Sequence, residues 1–195
     1  MPQTQLILAS TSPYRRALLE RLRLPFTVEK PGLDEARLPD EEACDMVCRL
    51  ARAKAYAIAQ NHPQTWVIGS DQCAVLDNTI LGKPGHHARA VEQLKAASNK
   101  HVTFHTGLCL MQLESGFERV INVPFSVYFR ELSNQEIEHY LQREQPYDCA
   151  GSFKSEGLGI TLFKSMQGDD PTSLIGLPLI ALCDMLRETG LDPLA

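Results

Sequence analysis

The stretch LILASTSPYRRALLERL, residues 6–22, constrains this chain most. Its first four residues are continuously apolar, the pattern of a short strand buried on both faces. Such a strand belongs to a sheet covered by helices on each side, so an α/β fold is expected. The run then turns polar at Ser10, Thr11 and Ser12, and Pro13 suits the first turn of a helix. Ala17, Leu18 and Leu22 give that helix a core-facing stripe. Hydroxyls and free N–H groups at a helix start, with Arg15 and Arg16 supplying guanidinium forks, match a phosphate. The same residues also make an ordinary capped helix with two solvated arginines.

Strand and helix patterns interleave along the rest of the chain. Strands are expected over 26–29, 65–75, 101–113, 118–129 and 160–163. Helices are expected over 41–60 with Asp40 as cap, 87–97, 133–141 and 176–187. Ser115-Gly116 joins two long strands as a hairpin, and Ser133 with Glu136 forms a capping box. The hairpin makes the sheet mixed rather than purely parallel. The 195 residues suit one domain over 1–195, or two lobes sharing a core, and no internal repeat or linker-like stretch divides them.

The net charge of −5 offers no bulk electrostatic attraction for nucleic acid or a membrane surface. The aromatic residues are dispersed rather than interleaved with a basic stripe, which also disfavours nucleic acid. No apolar run approaches the ~20 residues of a membrane span. The start, MPQTQ, lacks the flank of a signal peptide, and the six cysteines are scattered, so reduced thiols in a cytoplasmic protein are expected.

Four places break the apolar pattern, and such breaks often mark functional sites. The opening stretch is one. In WVIGSDQCAVL, residues 66–76, Ser70-Asp71-Gln72 interrupts an apolar run. A carboxylate there must be paired, metal-bound or in a cleft, unless a turn at Gly69 simply ends the strand. Lys54 shares a helical stripe with Val47, Leu50 and Ile58, and its default on that stripe is to snorkel outward. Finally, Lys83 lies in a Gly-Lys-Pro turn, and Lys154 with Glu156 in the loop DCAGSFKSEG. Cations at Arg15, Lys54, Lys83 and Lys154 with carboxylates at Asp71 and Glu35 suit a polyphosphate and a divalent ion. Neither a P-loop nor a G-x-G-x-x-G fingerprint is present, which disfavours ordinary kinases, GTPases and dinucleotide oxidoreductases.

The pieces LASTSPYRR, Asp34-Glu35, RLARAKA, GSDQ, GKP, HTG, DCAGSFKSEG and GLPL, in this order, resemble the Maf family of nucleoside triphosphate pyrophosphatases. They span nearly the whole chain. The resemblance implies a mixed α/β fold with an elongated sheet, flanking helices and two lobes around a central cleft, as in inosine triphosphatase-like proteins, and often a homodimer. It implies cleavage of a nucleoside triphosphate to monophosphate and pyrophosphate with a divalent cation such as Mg, Mn or Co. The proton acceptor maps onto Asp71. Phosphate contacts map onto Ser12, Arg15, Lys54 and Lys83, with Lys154 a further cation, and Asp71 and Glu35 are the metal candidates. Asp71 is either the general base or a ligand whose bound water attacks.

Within the family, Tyr14, Gln72 and Glu156 resemble the branch acting on 7-methyl-GTP, in which position 14 is commonly Trp. The dTTP/UTP branch typically carries Arg, Thr and Gln there, and Lys in place of Cys149. A methylated guanine is cationic, which favours an aromatic face at Tyr14 and a carboxylate at Glu156 accepting its N1–H and N2–H. Two rival expectations remain: a pyrophosphatase of dTTP, UTP or another modified nucleotide, and a non-catalytic nucleotide-binding regulator of cell division.

Overall fold

The computed structural model describes residues 6–195. The chain runs β1 (Leu6–Ala9), α1 (Pro13–Glu20), β2 (Thr27–Glu29), α2 (Ala43–Ala59), β3 (Trp66–Leu76), β4 (Thr79–Leu81), α3 (His87–Ala97), β5 (His101–Gln112), β6 (Phe117–Phe129), α4 (Asn134–Glu144), β7 (Phe163–Gln167), α5 (Pro171–Ile175) and α6 (Leu179–Glu188). The strands form one mixed sheet in the order β2-β1-β3-β5-β6-β7, with β4 paired to β3. β1 is parallel to β2 and to β3, each connection passing through a helix, as parallel pairing requires. β4 and β7 pair antiparallel with β3 and β6. Among the described residues, no helix is long and apolar enough to cross a membrane.

The chain divides into two compact units. The first comprises the described residues through Gln72, then Thr106–Val123 and Asp170–Ala195. The second comprises Cys73–His105 and Pro124–Asp169. In the first unit the strand period of two sends alternate residues of β1 to opposite faces. Leu6 and Leu8 pack with Leu18 and Leu19 of α1 and Leu182, Met185 and Leu186 of α6. Ile7 and Ala9 pack with Ala51, Ala55, Ile58 and Ala59 of α2. Both faces are therefore covered, as the unbroken apolar run requires. In the second unit Phe153 lies edge-on to Phe104, Phe129 and Phe163, with ring centroids 4.9–5.6 Å apart.

Several boundaries differ from the sequence expectation. α2 begins at Ala43 with Glu42 at its cap position in the extended backbone typical of an N-cap, whereas Asp40 adopts a left-handed backbone (φ 54°). The polar triplet at 70–72 does not interrupt its strand: β3 is continuous over Trp66–Leu76. Residues Leu158–Leu162 form 3₁₀ turns, and the strand begins only at Phe163. β4 follows a turn at Asp77 and Asn78, both with positive φ (48° and 64°). Those are the dihedral signs of the tight turns that close two-residue hairpins. The Ser133–Glu136 capping box is present as expected, and α4 continues to Glu144.

Candidate active site

Within the first unit, β1 delivers its polar tail to the start of α1. Ser12 caps α1, its hydroxyl accepting the Arg15 N–H at 3.4 Å. The buried Ser10 hydroxyl accepts the Ser12 N–H at 3.1 Å and lies 3.5 Å from Arg15 Nη1. The Arg15 guanidinium turns inward, and its Nε donates to the Gly176 carbonyl at 2.8 Å. Burial pulls its pKa down, while the negative charges of Asp71 and Glu35 oppose that pull. Arg16 remains on the surface, paired with Glu20. Tyr14 is half-buried on the same helix.

The long helix α2 lies unusually close to the sheet. An added Cβ at Gly69 of β3 would sit 2.1 Å from the Ala51 carbonyl oxygen, and one at Gly107 of β5 would sit 2.1 Å from that of Val47. Only glycine admits this approach. It places Lys54 beside Asp71: Nζ donates to Asp71 Oδ1 at 2.7 Å and to Glu35 Oε2 at 2.8 Å. Lys54 is 5% exposed and Asp71 8%, so the lysine does not snorkel outward. The local stripe is compatible with either direction, and the two carboxylates decide it. Glu35 is exposed and lies in a loop that Arg49 of α2 holds. Arg49 grips both carboxylate oxygens of Glu41, at 2.5 and 2.7 Å, and donates to the Ala36 carbonyl at 3.1 Å.

Gln72 spends its amide nitrogen inside the protein, on the Ser173 carbonyl (2.7 Å), the Thr106 hydroxyl (3.0 Å) and the Leu174 carbonyl (3.1 Å). Ser70 donates to the Gly176 carbonyl at 2.9 Å and Thr106 to that of Ser173 at 2.9 Å. Short α5, which sequence reasoning missed, and Gly176, which closes α5 instead of opening the last helix as expected (α6 begins at Leu179), are thus anchored beside the strand bearing Asp71. The signals for this were HTG and GLPL, whose Thr106 and Gly176 are the partners. The buried Asp170 caps α5 through Thr172 and also accepts the Ile180 N–H at the start of α6.

Ser12, Arg15, Glu35, Lys54, Asp71 and Gln72 are thereby gathered in the first unit. Lys83, Lys154 and Glu156 belong to the second. There Lys83 is exposed on the Gly-Lys-Pro turn. The Lys154 N–H donates to the Tyr140 hydroxyl at 3.1 Å, and burial pushes the Tyr140 phenol up. Glu156 is exposed and accepts the Ser155 hydroxyl at 3.2 Å.

Among the described residues, no three His, Cys, Asp or Glu side chains gather into a metal cage. Asp71 and Glu35 converge on Lys54, each using one oxygen for that bond and keeping a second. Two carboxylates fit the way magnesium is commonly held, with phosphate oxygens and water completing its shell. They do not fit a metal bound by the protein alone.

The family model described as "Maf-like protein" matches residues 5–189, and the chain belongs to the Maf family. Curated relatives named 7-methyl-GTP pyrophosphatase are similar over almost their full length. The protein of Pseudomonas syringae pv. syringae is 60% identical over 96% of this chain and 97% of its own. That of Nitrosococcus oceani is 54% identical over 95% and 93%, and that of Pseudomonas aeruginosa 56% identical over 96% and 97%. Two solved structures are partly similar. The HAM1 protein from Coxiella burnetii is 16% identical over 64% of this chain and 72% of that one, with TM-score 0.43. The Staphylococcus aureus Ham1 protein is 13% identical over 64% and 71%, with TM-score 0.45.

Proposed function

We propose that this chain is a nucleoside triphosphate pyrophosphatase that hydrolyses 7-methyl-GTP to 7-methyl-GMP and pyrophosphate. The observation that carries the reading is the buried Asp71 carboxylate, held at 2.7 Å by the Lys54 ammonium in the same compact unit as the inward-turned Arg15. A carboxylate so placed is oriented for proton transfer and flanked by cations for phosphate. The names of the relatives, at 54–60% identity, support the substrate.

In this reading Asp71 orients a water molecule and takes its proton as the water oxygen attacks the α-phosphorus. The bond from that phosphorus to the β-phosphate oxygen breaks, and pyrophosphate leaves. Arg15 and Lys54 offset the charge that builds on the leaving group, and Ser12 contributes a hydroxyl and the start of α1. A divalent cation held by Asp71 and Glu35 with the nucleotide's own oxygens would neutralise phosphate charge and acidify bound water. Lys83 and Lys154 are assigned phosphate contacts. Tyr14 is assigned the face of the cationic base, and Glu156 its N1–H and N2–H. Gln72 acts through the helix its amide holds.

The test is pyrophosphate release from 7-methyl-GTP, GTP, dTTP and UTP with magnesium, manganese or cobalt. Preference for 7-methyl-GTP is the expected outcome. Equal or better turnover of dTTP or UTP would move the chain to the other substrate class. Tight binding without product under any of the three metals would make it a binder. Glu156→Gln should bring the 7-methyl-GTP to UTP ratio down by about tenfold, the scale of one lost charge-assisted bond; an unchanged ratio rejects the role given to Glu156.

A further inference from the structure

Gln93 stands on α3 with its amide buried, 5% exposed, yet neither of its bonds serves the helix that carries it. Its Nε2 donates to the Gly82 carbonyl at 3.0 Å, the residue immediately before Lys83. Its Oε1 accepts the Ser152 hydroxyl at 2.5 Å, two residues before Lys154 and four before Glu156. One side chain therefore ties together the two segments of the second unit that bear its candidate phosphate and base contacts. Ser152 is fully buried and has φ 63°, next to Gly151 at φ 73°. A serine in the left-handed region persists where its surroundings over-determine it, and the bond to Gln93 is such a restraint. The helix supplying the glutamine is itself fixed, with Ala90, Leu94 and Ala97 in the core. A second tie runs in parallel: the Gly85 N–H donates to the Tyr147 carbonyl at 3.0 Å, and the His87 Nδ1 meets the Tyr147 hydroxyl at 3.0 Å.

We infer that Gln93 is a positioning residue. It sets the register of the Lys83 turn and of the loop carrying Lys154 and Glu156, so that both are preorganised before a nucleotide arrives. The inference rests on the pyrophosphatase reading for what those side chains do, but the tether has its own physical signature. The two bonds can be cut separately. Gln93→Glu keeps an acceptor for Ser152 and loses the donor to Gly82. Ser152→Ala keeps the Gly82 bond and frees the other loop. Gln93→Leu removes both.

Amide hydrogen exchange of the full chain is the first measurement. Faster exchange is expected around residues 82–85 in Gln93→Glu, around 150–157 in Ser152→Ala, and in both segments in Gln93→Leu. Kinetics with 7-methyl-GTP and UTP are the second. Gln93→Glu should lower kcat/KM for both substrates by about tenfold, as loss of positioning does, at an unchanged substrate ratio. Ser152→Ala should narrow the ratio. If Gln93→Leu fails to fold, the two single-bond variants carry the comparison. Unchanged exchange in both segments, or the same segment and the same kinetic parameter moved by both single-bond variants, overturns the inference. Wild-type protein that releases no pyrophosphate from any triphosphate overturns the functional reading instead, and the exchange data then decide the tether alone.

Discussion

At Asp71 one carboxylate oxygen lies 2.7 Å from the Lys54 ammonium, with the two side chains 11% and 6% exposed. Taking one partner from a buried pair leaves the other charge uncompensated, which costs about 3–5 kcal/mol. Lys54→Met should lie at the lower end of that range, about 3 kcal/mol, because the remaining carboxylates still feel Arg15. Asp71→Asn should cost less, about 1–2 kcal/mol, since the amide oxygen still accepts from the ammonium and Glu35 stays in place. Urea denaturation would order the two variants. Turnover should reverse that order. Asp71→Asn is expected to lose the ~10²–10⁴-fold that a positioned base supplies, with the fold retained. Near-wild-type hydrolysis by the folded variant would remove Asp71 from the proposed role. Asp71 stood out in the sequence as a charge inside an apolar run. The direction of Lys54 did not, because a lysine on such a helix stripe snorkels outward by default and only its two carboxylate partners turn it inward. Its partners lie 17 and 19 residues away in sequence.

The closeness of α2 to the sheet is an element-level property, set where two strands offer no side chain. Gly69→Ala would force a Cβ to 2.1 Å from the Ala51 carbonyl and 2.8 Å from the Ala55 N–H nitrogen, both backbone atoms of α2. The helix has to lift, and a loss of about 1–3 kcal/mol is expected, read from the urea midpoint. Turnover should fall with it, because Lys54 moves with the helix. Two carboxylates outside the core are held below their ordinary range. Arg49 holds the Glu41 carboxyl down at about 2, from an ordinary 4.5. The Ser133 N–H and hydroxyl, with Arg130, hold Glu136 down at about 2. A depressed carboxylate contributes stability in full above its unfolded value and loses it as pH falls toward the folded one. Stability should therefore decline from about pH 4.5 towards pH 2. Glu41→Gln and Glu136→Gln should each flatten that decline in urea midpoints measured against pH. A slope unchanged in both variants would rule these two groups out as its source. The capping box was readable because its residues are three apart. β4 and α5 were not, because three to five residues carry too little periodicity to outweigh the turns around them.

For the whole molecule, the mixed sheet interleaved with helices is the expected class, and its parallel strands are covered as their apolar runs demand. The cysteines at 44, 48, 73, 109, 149 and 183 are thiols rather than disulfides, and burial pushes the Cys109 thiol up to about 12. Cys73 is also buried. A thiol reagent at pH 8 should modify Cys109 only at the rate of opening, so its labelling should accelerate with urea in step with unfolding. Fast modification of Cys109 in native protein would contradict the packing of β5. Sequence alone determined what short-range pattern can encode: the class of fold, most helices and long strands, the capping box, and Asp71 as a misplaced charge. Tertiary structure decided which way Lys54 turns, that Gln72 spends its amide on Thr106 and Ser173, that Gly176 receives Arg15 and Ser70, and that Gln93 joins two loops. The reason is physical. Periodicity reports which face of an element is apolar, but a buried polar group is settled by the partner that satisfies it. Here that partner lies up to 161 residues away along the chain.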